Sequence, residues 1–198
     1  RFDKRTKKFE RFTHTITIDN GTREELAFFC IEQHEDKLYL GTWFRGLVIF
    51  DKVKKDFQRV PCDAPGVRPF VYGILDLQIA NGILYMAAMN DGLLALPLNS
   101  NRAHAVLQTK DIKLTNTEIN IQRVSLTRNA GFFAGGNASI YQLNDKQNSL
   151  YNFFSFEAPK VDVFSNQLLS SVIKDNRNNG YWCAVLNYAG ILWYSNNF

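Results

Sequence analysis

No apolar run in the chain approaches the roughly 20 residues that a membrane-spanning helix needs. No stretch of useful length carries the 3.6-residue apolar period of an amphipathic helix. Cysteine is scarce: Cys30, Cys62 and Cys183 are odd in number, widely spaced, and form no C-x-x-C or C-x-x-H pair. That pattern argues against a zinc site, and Cys30 and Cys183, in apolar strand-like segments, read as small buried hydrophobes. The three histidines, His14, His34 and His104, also lack metal-ligand spacing. G-x-S-x-G, Walker and dinucleotide-binding patterns are absent, and no acidic pair stands out for glycoside hydrolysis. The expectation is a non-catalytic chain with no cofactor and no metal. A leading Met and a signal peptide are missing too. This suggests a trimmed or processed chain, in which missing targeting signals are uninformative.

Aromatic residues are abundant, with 16 Phe, 8 Tyr and 3 Trp in 198 residues. Together with many Asn and short apolar runs, they point to strands. Hydrophobic residues make up 45% and charged residues 21%, a globular balance that permits a sizeable core. The net charge is +4, and six basic residues crowd into Arg1–Arg11. They suggest either an anionic partner or a solvated hairpin turn. The second reading is favoured, because the corresponding stretch Lys52–Arg59 is equally lysine-rich.

That correspondence is the main signal in the chain. Segment 1–12, RFDKRTKKFERF, aligns without a gap on 49–60, IFDKVKKDFQRV, an offset of 48 residues. The cleanest repeat is Lys37–Phe57, KLYLGTWFRGLVIFDKVKKDF: a strand ending in Gly41-Thr42, three residues, then Gly46 opening a second strand. Anchors Tyr39, Tyr85, Phe133 and Trp182 recur at spacings of 46, 48 and 49 residues. Repeats of this length suggest propeller blades of four short strands. Asn81-Gly82 predicts a two-residue hairpin, the Pro-rich stretch 61–69 predicts a loop, and polar residues 13–25 read as a loop.

The fold expected is therefore all-β: a β-propeller built of four-stranded antiparallel blades, with about four blades present. Residues 1–198 form a single propeller region, divided into 1–12 (the end of a blade), 26–60, 70–108 and 119–156 (blades), and 168–198 (an incomplete blade). The two ends would combine into one blade, so either a closed four-bladed ring or an arc of a larger ring fits. The abrupt start and the missing last strand favour the arc, whose open apolar faces would be prone to association.

Lys37–Phe57 resembles the two-component regulator propeller repeat: Leu38–Thr42, Gly46-Leu47 and Phe50-Asp51 match it well, and Val172–Trp182 with Gly190-Ile191 is similar. Ala87-Ala88 and Gly135-Gly136 depart from Gly41-Thr42. The resemblance implies the periplasmic sensor region of a Bacteroides-type hybrid histidine kinase, one that detects glycan fragments. It also implies a seven-bladed ring followed by an immunoglobulin-like segment, a membrane helix and a kinase, none of which is in this sequence.

Propellers usually bind ligands on second-to-third-strand loops. The candidates are Trp43 and Arg45 (with Phe44 between them), Asn90 and Asp91, Asn137, and Asn187 with Tyr188. An aromatic would stack on a sugar face, while Arg, Asn and Asp would hydrogen-bond hydroxyls or carboxylates. The competing expectation is that Trp43, Phe44 and Tyr188 pack between blades. Arg68 and Arg102 are weaker candidates. Expected partners are an oligosaccharide and a homodimer of the full-length sensor, with no nucleic acid. Membrane attachment would come only through absent segments. A protein-interaction scaffold is the alternative, and a propeller lyase or hydrolase a weaker one.

Overall fold

The computed structural model describes residues 2–17, 21, 23–61, 73–89, 92–107, 121–127, 130–135, 139–144, 149–155, 168–175, 177–178, 180–186 and 190–195. Among the described residues there are strands and no helix. A short hairpin, β1 (Phe2–Asp3) and β2 (Lys8–Phe9), comes first, then a second hairpin, β3 (Thr15–Thr17) and β4 (Arg23–Glu25). The first full sheet runs β5 (Phe28–His34), β6 (Lys37–Thr42), β7 (Leu47–Asp51), β8 (Asp56–Val60). The second runs β9 (Gly73–Ala80), β10 (Ile83–Met89), β11 (Gly92–Pro97), β12 (His104–Leu107). The third runs β13 (Ile121–Thr127), β14 (Ala130–Gly135), β15 (Ser139–Asn144), β16 (Ser149–Ser155). The last has three strands, β17 (Leu168–Asp175), β18 (Gly180–Leu186) and β19 (Gly190–Ser195). Every pairing is antiparallel between sequence neighbours.

Turn chemistry explains the short connections. Asp51 Oδ1 accepts the Val53 and Lys54 backbone N–H groups at 2.9 Å each. Forty-eight positions earlier, Asp3 Oδ1 accepts those of Arg5 and Thr6 at 2.9 and 3.2 Å. Both turns then place a lysine in the left-handed region, Lys7 at φ 53° and Lys55 at φ 58°. The basic cluster near the N-terminus is thus an exposed hairpin, as the repeat suggests. Asn81 and Gly82 both have positive φ, 50° and 76°, which is the geometry that suits a two-residue hairpin.

Residues 13–25 depart from the expected loop. Thr15–Thr17 pairs with Arg23–Glu25, and the Leu26 N–H donates to the His14 carbonyl at 2.9 Å. The segment is polar, but its Thr-Ile-Thr run is β-branched and alternating, and this local pattern outweighs overall polarity. Leu26 then enters the core with Leu40, Val48 and Phe50.

The sheets pack face to face in sequence order, with β5 against β9, β9 against β13, and β13 against β17. Among the described residues the series is not closed. Register assigns the faces. In the first sheet Tyr39 pairs with Ile49, and Leu47 with Val60, on one face; Leu40 pairs with Val48, and Leu38 with Phe50, on the other. The Tyr39 face meets Leu77, Leu84, Met86, Leu94 and Leu96 of the second sheet, forming the main core. Each such aliphatic contributes about 1.5–3 kcal/mol when fully buried. The approach is close at Gly41, where an added Cβ would lie 2.9 Å from Ile74 Cβ.

Candidate functional site

The corner joining β6 to β7 is held rigidly. Thr42 is fully buried, and its hydroxyl donates to the Gly46 carbonyl at 2.8 Å while accepting the Arg45 backbone N–H at 2.8 Å. The Thr42 N–H also reaches the Gly46 carbonyl, at 3.0 Å. Gly46 sits at φ +74°, where a side chain would be strained. Three residues are left to project from this closed ring: Trp43, Phe44 and Arg45.

Trp43 and Phe44 are both exposed, and their rings meet edge to face with centroids 5.7 Å apart. Phe29 joins them, its ring 5.1 Å from Trp43. Sequence reasoning missed Phe29, which belongs to β5. Phe28 pairs with Thr42 and Cys30 with Gly41, so Phe29 is the extra residue of a β-bulge. A bulge re-aims its side chain out of the alternating pattern, and here that side chain turns toward the corner. Two consecutive phenylalanines ahead of an alternating run were the available signal.

Arg45 has a structural partner. Its guanidinium forms an ion pair and two hydrogen bonds with the Glu24 carboxylate of β4. The Arg45 carbonyl accepts from Arg59 Nη2 at 3.2 Å. The β3–β4 hairpin is thereby fastened to the corner through the Arg45–Glu24 ion pair. Trp43 and Arg45 thus stand on the same corner, Trp43 against Phe29 and Phe44 and Arg45 against Glu24. Asn90, Asp91, Asn137, Asn187 and Tyr188 lie outside the described residues, as does Arg68. Arg102 is exposed, away from this corner in sequence and held by a backbone N–H to Ser100 Oγ at 3.1 Å.

The bulge recurs. In the second sheet Ala87 pairs with Asp76 and Ala88 with Ile74, leaving Leu75 unmatched. In the last sheet Ala184 pairs with Ser171 and Val185 with Leu169, leaving Ser170 unmatched. The third sheet bulges one row away, at Gln122. The inner strand of each sheet is therefore interrupted beside the connection between its second and third strands.

A separate cavity of about 750 Å³ lies on the opposite face of the first sheet, lined by Phe9, Phe12, Ile31, Leu38, Leu40 and Phe57 among others. Its rim charges are paired: Lys55 Nζ lies 3.3 Å from Glu10, and Arg11 2.8 Å from Glu25. No group of three or more His, Cys, Asp or Glu side chains that could hold a metal occurs among the described residues. The Cys30 thiol lies 3.5 Å from the Ile74 carbonyl. The aromatic corner offers a stacking surface.

The fold has solved counterparts. The extracellular domain of BT4673, described as a hybrid two-component system of B. thetaiotaomicron, superposes with a TM-score of 0.64 at 16% identity, over 92% of this chain and 22% of that one. The corresponding domain of BT3049 gives 0.57 at 14% identity, over 90% and 23%. An auxiliary nutrient binding protein from Bacteroides thetaiotaomicron gives 0.57 at 10% identity, over 85% and 39%. The likeness is one of fold. The chain spans under a quarter of the length of the two extracellular domains. No family model matches it, and no curated protein matches it in sequence.

Proposed function

We propose that this chain is part of the extracytoplasmic, periplasmic sensor region of a hybrid two-component signalling protein, and that it binds a carbohydrate without transforming it. Residues 1–198 would form one propeller region, an arc of four-stranded blades from a larger ring. Support for the architecture comes from the consecutive four-stranded sheets and the fold likeness to extracellular domains of two-component systems. The observation that carries the binding role is the exposed Phe29–Trp43–Phe44 cluster above the locked 42–46 corner. A preorganised aromatic surface stacks on the apolar face of a sugar at little entropic cost. Asn90, Asp91, Asn137, Asn187 and Tyr188 would extend the surface along the equivalent connections. Ligand contact would shift the packing between sheets and pass that shift to a kinase elsewhere in the protein.

Titration calorimetry of the chain against a panel of neutral and acidic oligosaccharides tests this reading. One class should bind, and Trp43→Ala should weaken that binding about tenfold, the scale of one lost aromatic contact. Silence across the panel, or unchanged affinity in Trp43→Ala, would overturn it.

A further inference from the structure

Every polar atom of Arg45 is engaged. At the backbone, its N–H donates to Thr42 Oγ1 at 2.8 Å and its carbonyl accepts from Arg59 Nη2 at 3.2 Å. At the guanidinium, Nε and Nη2 both donate to Glu24 Oε2, at 3.2 and 2.5 Å, and Nη1 turns back to the Phe44 carbonyl at 3.4 Å. Trp43 and Phe44, immediately before it, differ: their rings are exposed and meet each other, with Phe29 against Trp43. The corner thus divides into two exposed rings and one anchored cation.

The anchor reaches the rest of the fold through β4. Along this strand Arg23 and Glu25 are exposed and Glu24 is half-buried, and the alternation continues to buried Leu26. Leu26 lies in the core with Leu40, Val48 and Phe50, so Glu24, two positions before it, is turned toward the same sheet. His14, whose carbonyl accepts the Leu26 N–H, stacks on Phe57, and Arg11 pairs with Glu25. The Glu24 carboxylate is therefore presented from a frame fixed to the first sheet at several points. Drawing the Arg45 guanidinium away to a ligand would leave that half-buried carboxylate without its partner.

From this geometry we infer that Glu24 and Arg45 are positioning residues for the corner, an inference that rests on reading Phe29, Trp43 and Phe44 as a carbohydrate-binding surface. The Thr42–Gly46 ring closes the loop from inside, and the ion pair fixes it from outside. The peptide carrying Trp43 and Phe44 is thereby held in one orientation. An orientation fixed in the free protein need not be ordered when the ligand arrives, and affinity gains accordingly. Arg45 serves the ligand through Trp43, not by touching it.

Calorimetry with the oligosaccharide class that the native chain binds compares Glu24→Gln, Arg45→Gln and the exchanged pair, Glu24→Arg with Arg45→Glu. Each single variant should weaken binding about fivefold, and the exchanged pair should return to within about twofold of the native affinity, because either order of the charges restores the brace. A loss confined to Arg45→Gln, or an exchanged pair that stays weak, would mark direct contact of Arg45 with the ligand and overturn the inference. Near-ultraviolet circular dichroism without ligand gives a measure independent of any sugar. The Trp43 contribution, taken as the difference made by Trp43→Phe in each background, should shrink in Glu24→Gln and return in the exchanged pair. An unchanged contribution in Glu24→Gln would overturn the inference. Silence of the native chain across the oligosaccharide panel would instead remove the carbohydrate reading, and the spectrum would then decide the positioning role by itself.

Discussion

The first and last sheets place aromatic or aliphatic residues on the same rows, with opposite results. Tyr39, Leu47 and Ile49 of the first sheet pack into a core with the second sheet. Trp182, Ile191 and Trp193, at the same rows of the last, remain exposed, with Trp182 touching only partly buried neighbours such as Trp193. Composition cannot account for the difference, since the last sheet carries the larger apolar groups. What differs, among the described residues, is a packed neighbour: the Tyr39 face meets the second sheet, and no described strand covers the Trp182 face. In a stacked-repeat protein the worth of a side chain lies in the interface, and the isolated sheet has little of it.

The largest test of this contrast is a pair of truncations. Tyr85→Ala, in a buried row, should cost about 3–5 kcal/mol in urea unfolding. Trp182→Ala, measured at dilute protein, should cost less than about 1 kcal/mol. Equal costs would mean that the last sheet is supported by something other than a packed face. A smaller effect is expected at Gly41, where an added Cβ would meet Cys30 Sγ and Ile74. Gly41→Ala should destabilise by about 1–3 kcal/mol through overpacking against Ile74, read as a lower midpoint with an unchanged slope.

The smallest effects are in acid. The Lys54 backbone N–H, joined by that of Val53, holds Asp51 below the usual carboxylate range. The Asn178 side-chain amide, with the backbone N–H groups of Arg177 and Asn178, does the same for Asp175. A depressed carboxylate pKa gives stability that is present above the unfolded value of 3.8 and lost as pH falls through the folded one. His14, stacked on Phe57 at 4.8 Å, is lowered from 6.5 by burial and then by Arg59. Its unfolded form binds the proton more readily, so its share of stability is whole above 6.5 and declines as pH falls below it. Melting curves should therefore show a slight loss of stability just below neutrality, absent in His14→Phe, and a second loss below pH 3.8. A flat profile in the upper window would remove His14 from the packing.

Much of the fold was legible because the turns are set by local chemistry. Asp3 and Asp51 hold their hairpins through the same side-chain acceptor, and Asn81-Gly82 supplies the two positive φ angles its turn needs. Gly46 was legible for a similar reason. The β3–β4 hairpin was not, because the polarity of residues 13–25 masked the β-branched Thr15-Ile16-Thr17 run, and the tie from Glu24 to Arg45 is long-range. Phe29 was hidden by register: alternation assumes an unbroken ladder, and one inserted residue changes the direction of its side chain. Trp43 was read correctly as a loop residue, yet its exposure depended on whether a neighbouring sheet reached it.

The recurring bulge has an evolutionary consequence. Phe29, Leu75 and Ser170 occupy one architectural slot in three sheets, yet they are aromatic, aliphatic and hydroxylic. Because the slot is excused from the hydrogen-bonded ladder, its occupant can be exchanged without reworking the pairing around it. Where the slot faces outward, as at Phe29, such an exchange alters the surface, and where it is buried, as at Leu75, it alters the packing beneath.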